Sequence, residues 1–75
     1  MNKPFLNLRD ASVEVTVWKN QNADKMYYSI NFSNSYKDDN DQWCKSQNFS
    51  PVETLQLTRL IERAYDAINA DKSAK

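Results

Sequence analysis

Residues 49–69 constrain the rest of the chain more than any other stretch, because they read as one amphipathic helix with a marked start. Ser50-Pro51-Val52-Glu53 has the S-x-x-E form of a capping box: the Ser50 hydroxyl can accept from the Glu53 amide, and the Glu53 carboxylate can accept from the Ser50 amide. Pro51 falls at the first helical position, where its fixed φ helps and its missing N–H costs nothing. Leu57, Leu60, Ile61, Ala64, Tyr65 and Ile68 recur at three- and four-residue spacing, which predicts a helix over 51–69 with one apolar stripe. A lone stripe needs an opposing surface, and the residues upstream must supply it.

Those residues read as strands. Val13, Val15 and Val17 alternate with Glu14, Thr16 and Trp18, the period-two pattern of a half-buried strand over 12–19. Met26, Tyr28, Ile30 and Phe32 repeat it over 26–33, with Tyr27, Ser29, Asn31 and Ser33 on the other face. Pairing Val17 with Tyr28 aligns the two inner faces, leaves residues 20–25 as the loop and sets Trp18 opposite Tyr27. A third strand over 42–49 follows. A two-residue Asp39-Asn40 turn would put Tyr36 opposite Trp43 and Ile30 opposite Phe49, with Trp43 and Phe49 inside and Cys44, Ser46 and Asn48 outside. A bulge at residues 34–36 would flip part of that register. Residues 4–9 form either a further edge strand or a cover for the core, with Asp10-Ala11 as a break. The expected fold is α+β: a three- or four-stranded antiparallel meander followed by one long C-terminal helix on one sheet face, in a single domain. Residues 71–75 read as a frayed polar tail.

Composition narrows the chemistry. The chain of 75 residues contains no glycine and no histidine, and one cysteine. Glycine-rich phosphate loops and Cys/His zinc sites are therefore excluded, and Cys44 has no partner for an internal disulfide. Turns are expected to use Asn and Asp, at 20–24 and 38–41. The acidic run 38–41 lacks the glycine and downstream glutamate of a calcium loop and reads as a plain turn. No carboxylate pair has an acid–base context, so neither an enzyme nor a cofactor or metal is expected. No apolar run near 18 residues and no secretory segment occurs, which points to a soluble, cytoplasmic protein with no membrane partner. A chain this short buries only roughly 60% of its unfolded surface, so pairing with a second copy is expected.

Two surfaces are candidates for function. The outer sheet face gathers Trp18, Tyr27, Ser29 and Asn31, with Lys19, Lys25 and Lys45 near its edges. Rings among small polar groups and lysines suit single-stranded nucleic acid, with bases stacking on the rings and lysines meeting phosphates. The plainer account is a solvent face carrying one cross-strand aromatic pair. Val52 and Leu55 lie opposite the helix stripe, where they either cover the end of the sheet or, with Arg59, serve self-association. Ten basic residues balance ten acidic ones, which argues against a strongly basic nucleic-acid binder.

Val17-Trp18-Lys19-Asn20, Tyr27-Tyr28-Ser29-Ile30, Ser35-Tyr36-Lys37-Asp38, Trp43, Ser46 and Phe49 together resemble a V-W-x-N…Y-K-D…W…S-F pattern of short bacterial and phage proteins. Strands followed by one long helix are also similar, at fold level, to the positive-cofactor-four and Whirly single-stranded-DNA-binding regulators. That resemblance implies a dimer whose sheets grip a single strand. It departs from the pattern where Asn and Asp replace the usual glycine between Lys37 and Trp43. The expected function is a dimeric single-stranded nucleic-acid-binding or transcription-regulatory protein. The alternative is an interaction module of phage or mobile-element origin that binds and modulates a host protein.

Overall fold

The computed structural model describes residues 3–73. In chain order it has β1 (Leu6–Asp10), β2 (Val13–Asn22), β3 (Lys25–Lys37), β4 (Trp43–Ser46) and α1 (Pro51–Ser73). The four strands form one antiparallel sheet in the order β1-β2-β3-β4, and α1 packs on β1 and β2. This is the expected α+β meander with a C-terminal helix, and residues 6–10 are a true edge strand.

The core lies between β2 and α1. Val13, Val15 and Val17 are fully buried against Leu60, Ala64 and Ile68, with Leu6, Leu8, Leu57 and Ile61 half-buried around them. Tyr65 departs from the expected stripe. It is 62% exposed, because it stands on the β3 side of α1, where an open hollow of about 400 Å³ separates it from Met26 and Tyr28.

The capping box forms as expected. The Ser50 amide donates to Glu53 Oε1 at 2.8 Å, and the Glu53 amide donates to Ser50 Oγ at 3.3 Å. Glu53 also accepts from Asn34 Nδ2 at 2.9 Å. Asn34, the buried polar residue of β3, donates to the Asn48 carbonyl as well and accepts from the Ser12 hydroxyl at 2.6 Å. One amide thus ties together the β1–β2 turn, β3, the segment after β4 and the helix start. At the other end α1 continues to Ser73 rather than stopping at 69. Asp71 fixes its last turn by accepting from Lys19 Nζ at 2.8 Å and from the Tyr28 hydroxyl. Residues 71–73 are therefore helical, and residues 74–75 of the expected tail lie outside the described residues.

Two registers differ from the sequence reading. The β2–β3 hairpin continues to Asn22↔Lys25, so Val17 faces Ile30 and not Tyr28. Asn20, Gln21 and Asn22 extend the strand, and only Ala23-Asp24 remain to turn. The shift is two residues, so every side chain keeps its face, but Trp18 now sits opposite Ser29 and Tyr27 opposite Asn20. The second difference changes faces. Asp38 pairs with Gln42 around a three-residue loop, with Asp41 in the left-handed region at φ 62°. Tyr36 then faces Cys44 and Lys37 faces Trp43. Trp43 moves to the outer face, 70% exposed, while Cys44 and Ser46 turn to the helix side. Strand β4 ends at Ser46, so Phe49 pairs with no strand. It reaches the core edge from the loop, its ring 6.2 Å from that of Phe32.

The left-handed positions also differ from expectation. Besides Asp41 they are Ala11 and Ala23, at φ 56° and 54°. With no glycine in the chain, alanine occupies the tight corners of both N-terminal hairpins.

Candidate nucleic-acid interface

The outer face is built from the strand positions that alternate away from the helix. They are Asn7 and Arg9 on β1, Glu14, Thr16, Trp18 and Asn20 on β2, odd-numbered residues 25–37 on β3, and Trp43 and Lys45 on β4. Of the residues expected there, Trp18, Lys25, Tyr27, Ser29, Asn31 and Lys45 are present. Lys19 is not. It lies on the helix side, bonded to Asp71 and 5.8 and 5.9 Å from the Phe5 and Tyr28 ring centres. Its Asp71 bond raises the Lys19 pKa and lowers that of Asp71, so this cation is committed to the fold.

The aromatic pair expected between Trp18 and Tyr27 becomes a diagonal one, and no ring contact joins them among the described residues. Trp43 takes the prominent place. Lys37 Nζ stands 5.4 Å from its ring centre, a cation–π contact worth about 0.5–1 kcal/mol at an exposed site. An open pocket of about 550 Å³ lies beside it, bordered by Arg9, Ser12, Ser35, Trp43 and Lys45. A second hollow, of about 270 Å³, runs along Thr16, Trp18, Asn31 and Ser33 and shares Lys45 with the first.

Glu14, which lines the second hollow, is the central charge of the face. It accepts from Asn7 Nδ2 at 2.9 Å, and Lys45 and Arg9 lie 3.6 and 3.8 Å away. The Asn7 bond foremost, then the two cations, hold its carboxyl below the usual range. Part of the positive charge of Arg9 and Lys45 is thereby neutralised within the face. Sequence reasoning missed Trp43, Lys37 and Arg9. For Trp43 the parity of β4 depends on one residue of loop length, which the Asp38–Gln42 pairing and the left-handed Asp41 reveal, whereas Lys37 and Arg9 follow the alternation of β3 and β1.

Val52 and Leu55 are 66% and 68% exposed on α1, with Arg59 exposed nearby, so they do not cover the end of the sheet. No helix of the described residues is long and apolar enough to cross a membrane. No protein family, curated protein or solved structure matches the chain. The likeness to V-W-x-N…Y-K-D…W…S-F proteins therefore rests on its motif residues alone.

Proposed function

We propose that this is a small, non-enzymatic single-stranded nucleic-acid-binding protein of regulatory type. It acts in the cytoplasm as a dimer and receives the strand on its outer sheet face. The observation that carries this reading is the sharing of that face by both tryptophans, with Lys45 common to the hollows beside them. Bases would stack on Trp43 and Trp18, and Arg9, Lys37 and Lys45 would meet phosphates. Because Glu14 offsets part of that charge, affinity is set by stacking and a few cations, and micromolar, sequence-tolerant binding is expected. Titration with labelled oligonucleotides at low salt should quench tryptophan fluorescence, and the affinity should fall as salt rises. Trp43→Ala should weaken binding by about 1–3 kcal/mol. Unchanged fluorescence and mobility with every oligonucleotide at low salt would remove this reading.

A second reading has its own support. Val52 and Leu55 stand exposed on a neutral chain, which suits an interaction module that binds a host protein. In that case the same tryptophans are candidate anchors for a protein contact.

A further inference from the structure

Strand β3 is thirteen residues long, but its two edges are unequally used. One edge pairs with β2 from Lys25 to Asn34, and Ser35 continues that side by donating to the Ser12 carbonyl. The other edge pairs with β4 only at residues 34–37. From residue 25 to 33 no strand lies beside it.

The backbone groups on that open edge can be identified by parity. Ser35 donates toward β2, so the odd-numbered residues of β3 spend their N–H and C=O groups on β2. The even-numbered ones point the opposite way, which the Gln47 side-chain amide confirms by donating to the Phe32 carbonyl at 3.3 Å. Met26, Tyr28, Ile30 and Phe32 therefore present their backbone groups to the open edge. The same four residues carry the apolar side chains of the helix-side face, where Met26 is 49% and Phe32 37% exposed.

Natural sheets guard such an edge with lysine, proline, a bulge or brevity. Here Met26-Tyr27-Tyr28-Ser29-Ile30-Asn31-Phe32-Ser33 has no charge and no proline, and the β2–β3 register runs without a bulge. The molecule is also extended. Its radius of gyration is 14.5 Å, against about 11 Å for a compact chain of this length.

We propose that the open edge of β3 is a homodimer seam, where the same stretch of a second copy pairs antiparallel across a two-fold axis. The open window, residues 25–33, is centred on Ser29, and placing the axis there matches its full length. Tyr28 then pairs with Ile30 of the second copy and Met26 with its Phe32. All four are residues whose backbone groups face the edge, so hydrogen-bonding parity is satisfied once the Gln47 side chain yields the Phe32 carbonyl to the Met26 amide of the second copy. Every apolar side chain meets an apolar one on the helix side, and Tyr27 meets Asn31 on the outer side. A second copy fits because the window is its own complement under this symmetry. The result is one continuous eight-stranded sheet, with the outer faces of both copies joined. The seam uses none of Trp18, Trp43, Arg9, Lys37 and Lys45, although Lys25, Tyr27, Ser29 and Asn31 of the outer face lie along it, and it is tested without any oligonucleotide.

The test combines sedimentation equilibrium of the full chain with amide exchange at low and high protein concentration. A dimer mass is expected at tens of micromolar or above, in the range of a modest interface. The amides of Met26, Tyr28 and Ile30 should exchange about tenfold or more slowly in the dimer, while those of Tyr27, Ser29 and Asn31 are protected at both concentrations. Met26→Lys places a charge in the seam and should weaken dimerisation about tenfold or more, whereas Leu55→Lys should leave it unchanged. A monomer up to about 1 mM overturns the proposal, and so does a dimer whose even-numbered amides stay fast or that Leu55→Lys disrupts and Met26→Lys does not.

Discussion

Strands β2 and β3 are hydrogen-bonded neighbours with equally regular alternation, yet their inward side chains meet different fates. Val13, Val15 and Val17 are fully buried, while Phe32, directly across from Val15, is 37% exposed, and Met26 is 49% exposed. The difference is one of width. A helix is about 10 Å across and strands are spaced about 4.8 Å, so one helix covers two strands and leaves the rest of a four-stranded sheet open. In this chain α1 covers β1 and β2 and reaches β3 at its ends, through Glu53–Asn34 and Asp71–Tyr28. Alternation marks which face a side chain takes; whether that face is covered depends on where the helix lies.

The largest expected effect contrasts the two flanks of the helix. Leu60 is 2% exposed over β2, and Leu60→Ala should destabilise by about 2–5 kcal/mol, through lost transfer energy plus the cavity left behind. Tyr65, five residues on but facing the open half, should lose no more than about 0.5 kcal/mol as Tyr65→Ala. Denaturant melts of both variants check this. Comparable losses would mean that the open flank is covered in solution.

The links between the halves are carboxylates, and they make the contrast pH-dependent. The Ser50 backbone amide, first among its partners, holds the Glu53 carboxyl below its ordinary 4.5, and Asp71 is lowered chiefly by Lys19. A carboxyl depressed in the folded state contributes stability above its unfolded value, and that contribution is lost as pH falls through the folded one. Stability should therefore decline below pH 4.5, and Glu53→Gln, which cannot ionise, should decline less steeply over the same window. At neutral pH, Ser50→Ala should cost about 1 kcal/mol by removing half of the capping box. Thermal melts across the acid range decide the matter, and parallel acid slopes for Glu53→Gln and the parent chain would exclude Glu53 as a contributor.

Much of this was legible in the sequence, and the failures have physical causes. The capping box, the buried valines and the helix stripe up to Ile68 depend on local spacing, which the chain states directly. The faces of β2 and β3 survived a two-residue register error because side chains alternate with a period of two. Trp43 did not survive an error of one, since the loop 39–41 turns through Asp41 and reverses the parity of β4. The candidate interface was accordingly half visible: Trp18, Tyr27 and Lys45 were placed, and Trp43, Lys37 and Arg9 were not. Lys19 was misplaced although its signal is local: it shares the parity of Val13, Val15 and Val17, which puts it on the helix side, where Asp71 binds it. Only the identity of that partner, fifty-two residues later in sequence, leaves no local signal.

The smallest expected effect concerns the corners that set the two hairpins. Ala11 closes β1–β2, the covered pair, and Ala23 closes β2–β3, the pair that extends into the open half. Both have left-handed φ, where a Cβ crowds the backbone at a cost of about 1–2 kcal/mol that glycine avoids. Glycine in turn loses more entropy on folding, which returns about 0.5–1 kcal/mol of the gain. Ala23→Gly and Ala11→Gly should each therefore stabilise by about 0.5–1 kcal/mol, against the usual direction for glycine in a β-protein. Urea melts with an unchanged m-value would place the gain in the turn rather than in altered compactness. A loss of stability in either variant would mean that the corner is relaxed with its Cβ in place. A gain at Ala11 with none at Ala23 would locate the remaining strain in the covered half alone.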